Sequence, residues 1–387
     1  MAREYIFTSE SVTEGHPDKM ADQISDAILD YIISRDKNAR VACETILTTG
    51  ICLITGELKT DIYAPMQDIA REVIREIGYT DASFGFDYRS AGVLNAIGEQ
   101  SIDINQGVDR DSGELGAGDQ GMMFGYACKE TPELMPLPIS LAHKLTAKLA
   151  SVRKNETLPF LRPDGKAQVS IKYRDNIPIE VDTIVLSAQH DENIAPNRLR
   201  EALITEVIEE VIPKELLKNT TYHINPTGRF VIGGPQGDAG LTGIKIIVDT
   251  YGGSAPHGGG AFSGKDPTKM DRSGAYMARY IAKNLVKADV AKKITIQLSY
   301  AIGIAKPISI MVDTHNSSKI DNIEIQKCIK EIFDLSPAGI IKELNLLNPI
   351  YRKTASYGHF GREDCGFSWE LTDRVNEIKS YLNIENV

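Results

Sequence analysis

The sequence is short of several things, and each shortage narrows what the chain does. Its five cysteines, Cys43, Cys52, Cys128, Cys328 and Cys365, are odd in number and form no C-x-x-C. That argues against a disulfide framework or a zinc site and makes a reducing compartment the default. No apolar run approaches the roughly 20 residues of a membrane helix. The start, Met1 to Phe7, runs directly into a strand-like pattern and lacks the apolar core of a signal peptide. A cytoplasmic protein without membrane partners is expected. Positive charge is also in deficit: 43 Lys and Arg face 53 Asp and Glu, a net charge of −10. Such a balance argues against nucleic acid as a partner.

What remains is ordinary for a globular chain of 387 residues, with 42% hydrophobic and 25% charged residues. The length suits two or three domains. Against the acidic background, one stretch concentrates glycine and positive charge. It is His257-Gly258-Gly259-Gly260-Ala261-Phe262-Ser263-Gly264-Lys265-Asp266, followed by Lys269, Asp271 and Arg272. Glycines let a backbone approach a ligand and turn N–H groups toward it. With Lys265, Lys269 and Arg272 beside them, a polyphosphate is the expected guest. Gly259 to Lys265 even fits G-x-x-x-x-G-K, the front of a Walker A loop. The Ser or Thr that should follow is missing, and Asp266 stands there. A phosphate cradle of another fold is expected, with metal ligands from elsewhere.

The rest reads as alternating helices and hairpins. His16-Pro17-Asp18 opens a helix in which Met20, Ile24, Ile28 and Ile32 recur every fourth residue. Strands at 41–48 and 51–55 form a hairpin, and a helix around Ile69, Val73 and Ile77 stops at Gly78. A second helix, hairpin and helix fall near 138–152, 167–187 and 197–211. A third set falls near 274–286, 294–313 and 323–333. The run 243–249 reads as a buried strand. Three related α+β units are expected, each packing helices on one face of a sheet. An apolar outer sheet face would then need a partner subunit. The segment 100–121 is rich in Gly and Asp, lacks a period, and suits either an active-site lid or a disordered surface loop.

Several residue types suit polyphosphate chemistry. His16 and Asp18 sit at a helix N-terminus, which attracts anions. Asp18, Glu44, Asp119, Asp238 and Asp271 lie near turns, and Mg²⁺ with a polyphosphate needs only one or two such carboxylates. Lys166, Arg229, Lys245, Lys265 and Lys269 bring cations from separate segments. Phe230 offers a ring for stacking on a base or for the core.

Together these motifs resemble the bacterial S-adenosylmethionine synthetase (methionine adenosyltransferase) family. The resemblance runs nearly the full length. It rests on Phe7 to Lys19, Ala42 to Thr45, Ser101 to Val108, Gly116-Ala117-Gly118-Asp119-Gln120-Gly121, Asn225 to Phe230, Gly258 to Asp266 and Tyr357 to Arg362. It implies an α+β fold of three similar domains with pseudo-threefold symmetry, at 4–101, 115–233 and 234–373, with a mobile lid at 102–114. It implies that ATP, L-methionine and water become S-adenosylmethionine, phosphate and diphosphate. The methionine sulfur would attack C5′ of ATP, and the released triphosphate would then be hydrolysed. A thioether needs no general base, so positioning and charge stabilisation carry the work.

The resemblance also implies roles. His16, Lys166, Lys245 and Lys265 would be catalytic, with His16 near the oxygen leaving C5′ and the lysines on phosphates. Asp164, Arg229, Phe230, Asp238 and Ala261 would complete the ATP site. Glu57, Gln100, Asp119, Asp238 and Lys269 would hold methionine. Asp18 and Asp271 would bind Mg²⁺, two ions per site, and Glu44 would bind K⁺. A homodimer with shared sites, paired into a tetramer, would be the working form. Two positions depart from close relatives, where arginine is usual: Ile244 and Pro256. Both losses remove positive charge, so weaker triphosphate binding or hydrolysis, or compensation by another cation, is expected, with activity retained. The rival expectation is a P-loop-like NTPase or kinase.

Overall fold

The computed structural model describes residues 3–100 and 116–384. The segment expected to form a lid, 102–114, lies outside the described residues. Among the described residues, eleven strands form three sheets, in the orders β1-β6-β7-β8, β4-β3-β2-β9 and β11-β10-β5. The strands are β1 Glu4–Val12, β2 Arg40–Thr48, β3 Ile51–Lys59, β4 Gly92–Glu99, β5 Gly121–Cys128 and β6 Leu161–Arg174. They continue with β7 Ile177–His190, β8 Thr221–Ile224, β9 Gly240–Leu241, β10 Lys293–Tyr300 and β11 Ser309–Asp313. The long helices are α1 Pro17–Ile33, α2 Met66–Ile77, α3 Leu137–Lys154, α4 Pro196–Leu203, α5 Met270–Lys287 and α6 Asn322–Ile332. The architecture is α+β in three domains, as expected.

Each hairpin is antiparallel: β2 with β3, β6 with β7, β10 with β11. Each also takes a strand from a distant stretch of chain. β1 pairs with β6, β5 with β10, and β9 with β2. Hence no sheet is built from one continuous stretch, and turns from distant segments meet at the seams. α1 packs on β2, α3 on β6 and β1, and α5 on β5 and β10. The apolar stripe of α1 is buried as its spacing predicts, with Met20, Ile24, Ile28 and Ile32 fully inside. Two hydrophobic cores result. One joins α1, α2 and α5 to their sheets, and the other lies between α3, the run from α4 and the β6-β7 hairpin.

One expectation fails here. Residues 243–249 form no strand. Gly243 takes a left-handed φ of 79°, and Ile246–Asp249 make a single helical turn. Apolar content alone does not tell a short strand from a buried turn.

Candidate active site

The first group of side chains gathers where α1 begins. His16 caps the helix: its Nδ1 accepts the backbone N–H of Asp18 at 3.2 Å. Because that amide must donate, the proton of the neutral ring sits on Nε2, which is left to donate outward. Burial, then the charges of Lys245 and Lys166, pushes the imidazole down to about 3, so it is neutral at working pH. Asp18 Oδ2 accepts Lys245 Nζ at 2.5 Å, and its Oδ1 accepts the amide of Leu241 at 3.0 Å. Lys166 reaches this end because its backbone pairs with Val12 in the β1-β6 ladder.

Asp164, two residues earlier on β6, is buried. Its Oδ2 accepts the Gly234 amide at 2.8 Å, while Oδ1 has no partner among the described residues. Burial raises its carboxyl to about 6. Gly233 lies so close to Phe230 that a Cβ there would stand 2.7 Å from the ring. Phe230 is thereby fixed beside Asp164. Arg229 and Asp238 flank this pair and are exposed, Arg229 reaching Glu192 at 3.4 Å.

The second group surrounds a cavity of about 560 Å³. Glu57, Gln100, Asp119, Lys265, Lys269 and Asp271 all line it. Gln100 Oε1 is buried without a partner among the described residues. Lys265 Nζ donates to Asp271 Oδ2 at 2.6 Å. Gly260 passes over Asp271 so tightly that a Cβ would meet Cγ at 2.2 Å, which only glycine allows. Ala261 abuts the other loop, its Cβ 2.3 Å from where one on Gly243 would lie. Glu44 lines neither group. It is exposed on the outer face of β2, beside Ile46.

Asp266, which spoils the Walker match, points inward. Its Oδ2 accepts the Val41 amide at 2.7 Å and Lys269 Nζ at 2.6 Å, and its Oδ1 accepts from Thr268. Burial opposes its charge, but Lys269 and Thr268 outweigh it and hold the carboxyl low. It staples the glycine stretch to β2 and repels no phosphate. Arg272 also departs from expectation. It is fully buried in a bidentate pair with Asp26 at 2.7 and 2.8 Å, so its charge serves the fold.

Other cavity residues carry no signal in the sequence. Arg40, Met123, Thr268 and Ile302 share the lining, and Ile302 arrives from the β10-β11 connection with no local signal. Asp22, Asp26 and Asp30 do carry one: their spacing with Asp18 is the same fourfold step as the apolar stripe.

Comparison with known sequences decides between the expected chemistries. Three family models match in order: S-adenosylmethionine synthetase N-terminal domain over residues 4–102, central domain over 114–230 and C-terminal domain over 232–371. The chain belongs to the S-adenosylmethionine synthetase family. An S-adenosylmethionine synthase of a Sulfurovum species is 71% identical over 99% of this chain and all of its own length. Those of a Nitratiruptor species and of Wolinella succinogenes are 69% and 66% identical, over 99% and 100% of this chain and all of their own length. Membership of this transferase family sets aside the P-loop NTPase and kinase alternative. No helix among the described residues is long and apolar enough to cross a membrane.

Proposed function

We propose that this chain joins ATP to L-methionine, forming S-adenosylmethionine, and then splits the released triphosphate into phosphate and diphosphate with water. The observation that carries this reading is the division of the site residues into two groups on one chain. One group, around His16, Asp18, Lys166 and Lys245, holds the charges suited to a polyphosphate leaving group. The other, around the cavity of Glu57, Gln100, Asp119 and Lys269, has the size and polarity for a small zwitterion such as methionine. None of the described residues lining the cavity belongs to the first group.

A complete site therefore asks for a second copy of the chain, each copy lending its cavity group to the other's His16 group. Exposed apolar side chains on the outer sheet faces favour such pairing: Ile6, Ile46, Leu94, Met122 and Met311. Pairing of dimers into a tetramer belongs to the same proposal.

In this mechanism the methionine sulfur attacks C5′ and the C5′–O bond breaks. His16 Nε2–H donates a hydrogen bond to the departing oxygen. Lys166, Lys245 and Lys265 take up the charge that grows on the triphosphate. Phe230 and Arg229 hold the adenosine, Asp164 and Ala261 shape its floor, and Asp238 serves both substrates. Asp18 and Asp271 are oxygen donors suited to Mg²⁺. No three potential ligand side chains cluster among the described residues, which fits ions completed by phosphate oxygens and water. Mg²⁺, two per site, would neutralise phosphate charge when bound, and Glu44 would hold K⁺. Ile244 adds no charge to the Lys245 loop, so the grip on triphosphate is weakened.

The test is product analysis with ATP, methionine, Mg²⁺ and K⁺. S-adenosylmethionine, phosphate and diphosphate are expected, and ADP as the product would sink the proposal. Lys265→Ala should lower kcat about 10³-fold, the scale of a lost charge-stabilising donor. Lys59→Ala should stay within about threefold. Equal losses would remove Lys265 from the phosphate role.

A further inference from the structure

α1 carries an aspartate at every fourth position: Asp18, Asp22, Asp26 and Asp30. In a helix these fall on one face, one turn above another. Each accepts a backbone N–H from a distant stretch of chain, Asp18 and Asp22 from one stretch and Asp26 and Asp30 from two others. Asp18 takes Leu241, Asp22 takes Gly243 at 2.8 Å, and Asp26 takes Gly264 at 2.8 Å. Asp30 takes both Tyr351 and Arg352 at 2.9 Å. Ser25 adds a hydroxyl contact to Thr242 at 2.9 Å.

Two of these anchored amides stand next to the expected phosphate ligands. Gly243 is two residues before Lys245, and Gly264 is one residue before Lys265. Asp22 and Asp26 are themselves fully buried, so neither can touch substrate. Each has a buried counter-ion. Lys19 donates to Asp22 at 2.8 Å and also pairs with Asp249, which ends the turn following Lys245. Arg272 pairs with Asp26 and donates to the Lys265 carbonyl at 3.3 Å. Both lysine-bearing loops are thus gripped at the backbone from one helix face.

We propose that Asp22 and Asp26 are positioning residues: Asp22 sets the Lys245 loop on α1, and Asp26 sets the Lys265 loop that serves the partner copy's site. The proposal rests on the phosphate role given to those lysines. A buried ion pair adds little net stability over an apolar pair of equal volume; here each pair's aspartate also holds a loop amide, Gly243 or Gly264. Displacing a ligand by about 1 Å can cost 10²-fold in rate.

The test is a set of double-mutant cycles read by calorimetric binding of tripolyphosphate to the full-length protein. Asp22→Asn should weaken binding about tenfold in the native background and in Lys265→Ala. In Lys245→Ala it should cost less than threefold, because the lysine it positions is gone. Asp26→Asn should show the mirror pattern, coupled to Lys265 and indifferent to Lys245. The same factor in every background would mean a general structural role and overturn the proposal, as would a change below twofold on the native protein. If Asp22→Asn or Asp26→Asn does not fold, the charge-neutral pairs Lys19→Met with Asp22→Asn, and Arg272→Gln with Asp26→Asn, carry the measurement. Failure of those pairs to fold also counts against positioning. A native protein that binds tripolyphosphate but forms no S-adenosylmethionine would sink the proposed function alone. A native protein that does not bind tripolyphosphate would sink the positioning proposal.

Discussion

α1 and α3 hold corresponding places. Each precedes a hairpin, packs on its sheet and runs 17 or 18 residues. Their buried faces differ in kind. α3 buries Ile139, Leu141, Leu145, Leu149 and Val152, and no Asp, Glu, Lys or Arg. α1 buries an apolar stripe and, beside it, Asp18, Lys19, Asp22 and Asp26. The difference follows from what lies against each helix. α3 meets side chains of a sheet whose backbone is already paired. α1 also meets loops whose N–H groups have no ladder, and buried amides require acceptors. Aspartates supply them, and Lys19 and Arg272 answer the resulting charge. Burial opposes the Lys19 charge, but Asp22 and Asp249 outweigh it and keep the ammonium protonated.

Truncation separates the two helices most sharply. Arg272→Ala leaves Asp26 as an unpaired buried charge, a loss of about 3–5 kcal/mol. Leu145→Ala, in the α3 core, should cost a similar amount, about 2–5 kcal/mol. Below both melting points, however, Arg272→Ala should have lost about 10²-fold in kcat, and Leu145→Ala less than twofold. Thermal unfolding paired with initial rates gives the answer. Equal rates in the two variants would erase the distinction between a helix that packs and one that also positions.

A smaller effect comes from adding charge. Ile244 is 52% exposed in the loop that α1 grips. Ile244→Arg should tighten tripolyphosphate binding several-fold, by restoring a cation beside Lys245. Ser151→Arg, on the exposed side of α3, should leave it unchanged. A gain in both would point to bulk charge and leave no special place for the loop.

The smallest expected effect is on acid stability. His143 of α3 is pushed down to about 3 by burial and then by the Arg362 and Lys19 charges. Its ordinary value is about 6.5. Between these values the unfolded chain takes up a proton that the folded chain refuses. Stability therefore falls as pH drops below about 6.5, at up to about 1.4 kcal/mol per pH unit from this group. His143→Gln should flatten that slope in melting curves from pH 7 to 5. An unchanged slope would show that the ring is protonated in the folded protein.

Much of this contrast is legible in the sequence once its second period is noticed. The Met20-Ile24-Ile28-Ile32 stripe reveals α1, and the three hairpins follow from alternation and turn residues. The aspartates share the same step of four, yet a solvated face would show the same spacing, so periodicity cannot say which stripe is buried. The glycine stretch announces a cradle. It does not reveal that Asp266 and Arg272 turn inward, because that depends on Val41 and Asp26, over 200 residues away.

What the sequence settles by itself is local: helix and hairpin periods, caps such as His16-Pro17, glycines that permit close approach, and the family to which its motifs belong. Tertiary structure decides the rest. It places β1, β5 and β9 in sheets built mostly from distant chain. It turns the apolar run at 243–249 into a helical turn clamped by Asp22 and Lys19. It divides the residues expected at the site into two groups. The physical reason is the same in each case. Backbone amides and charges removed from water must find partners wherever the fold brings them, and no local pattern encodes which distant group arrives.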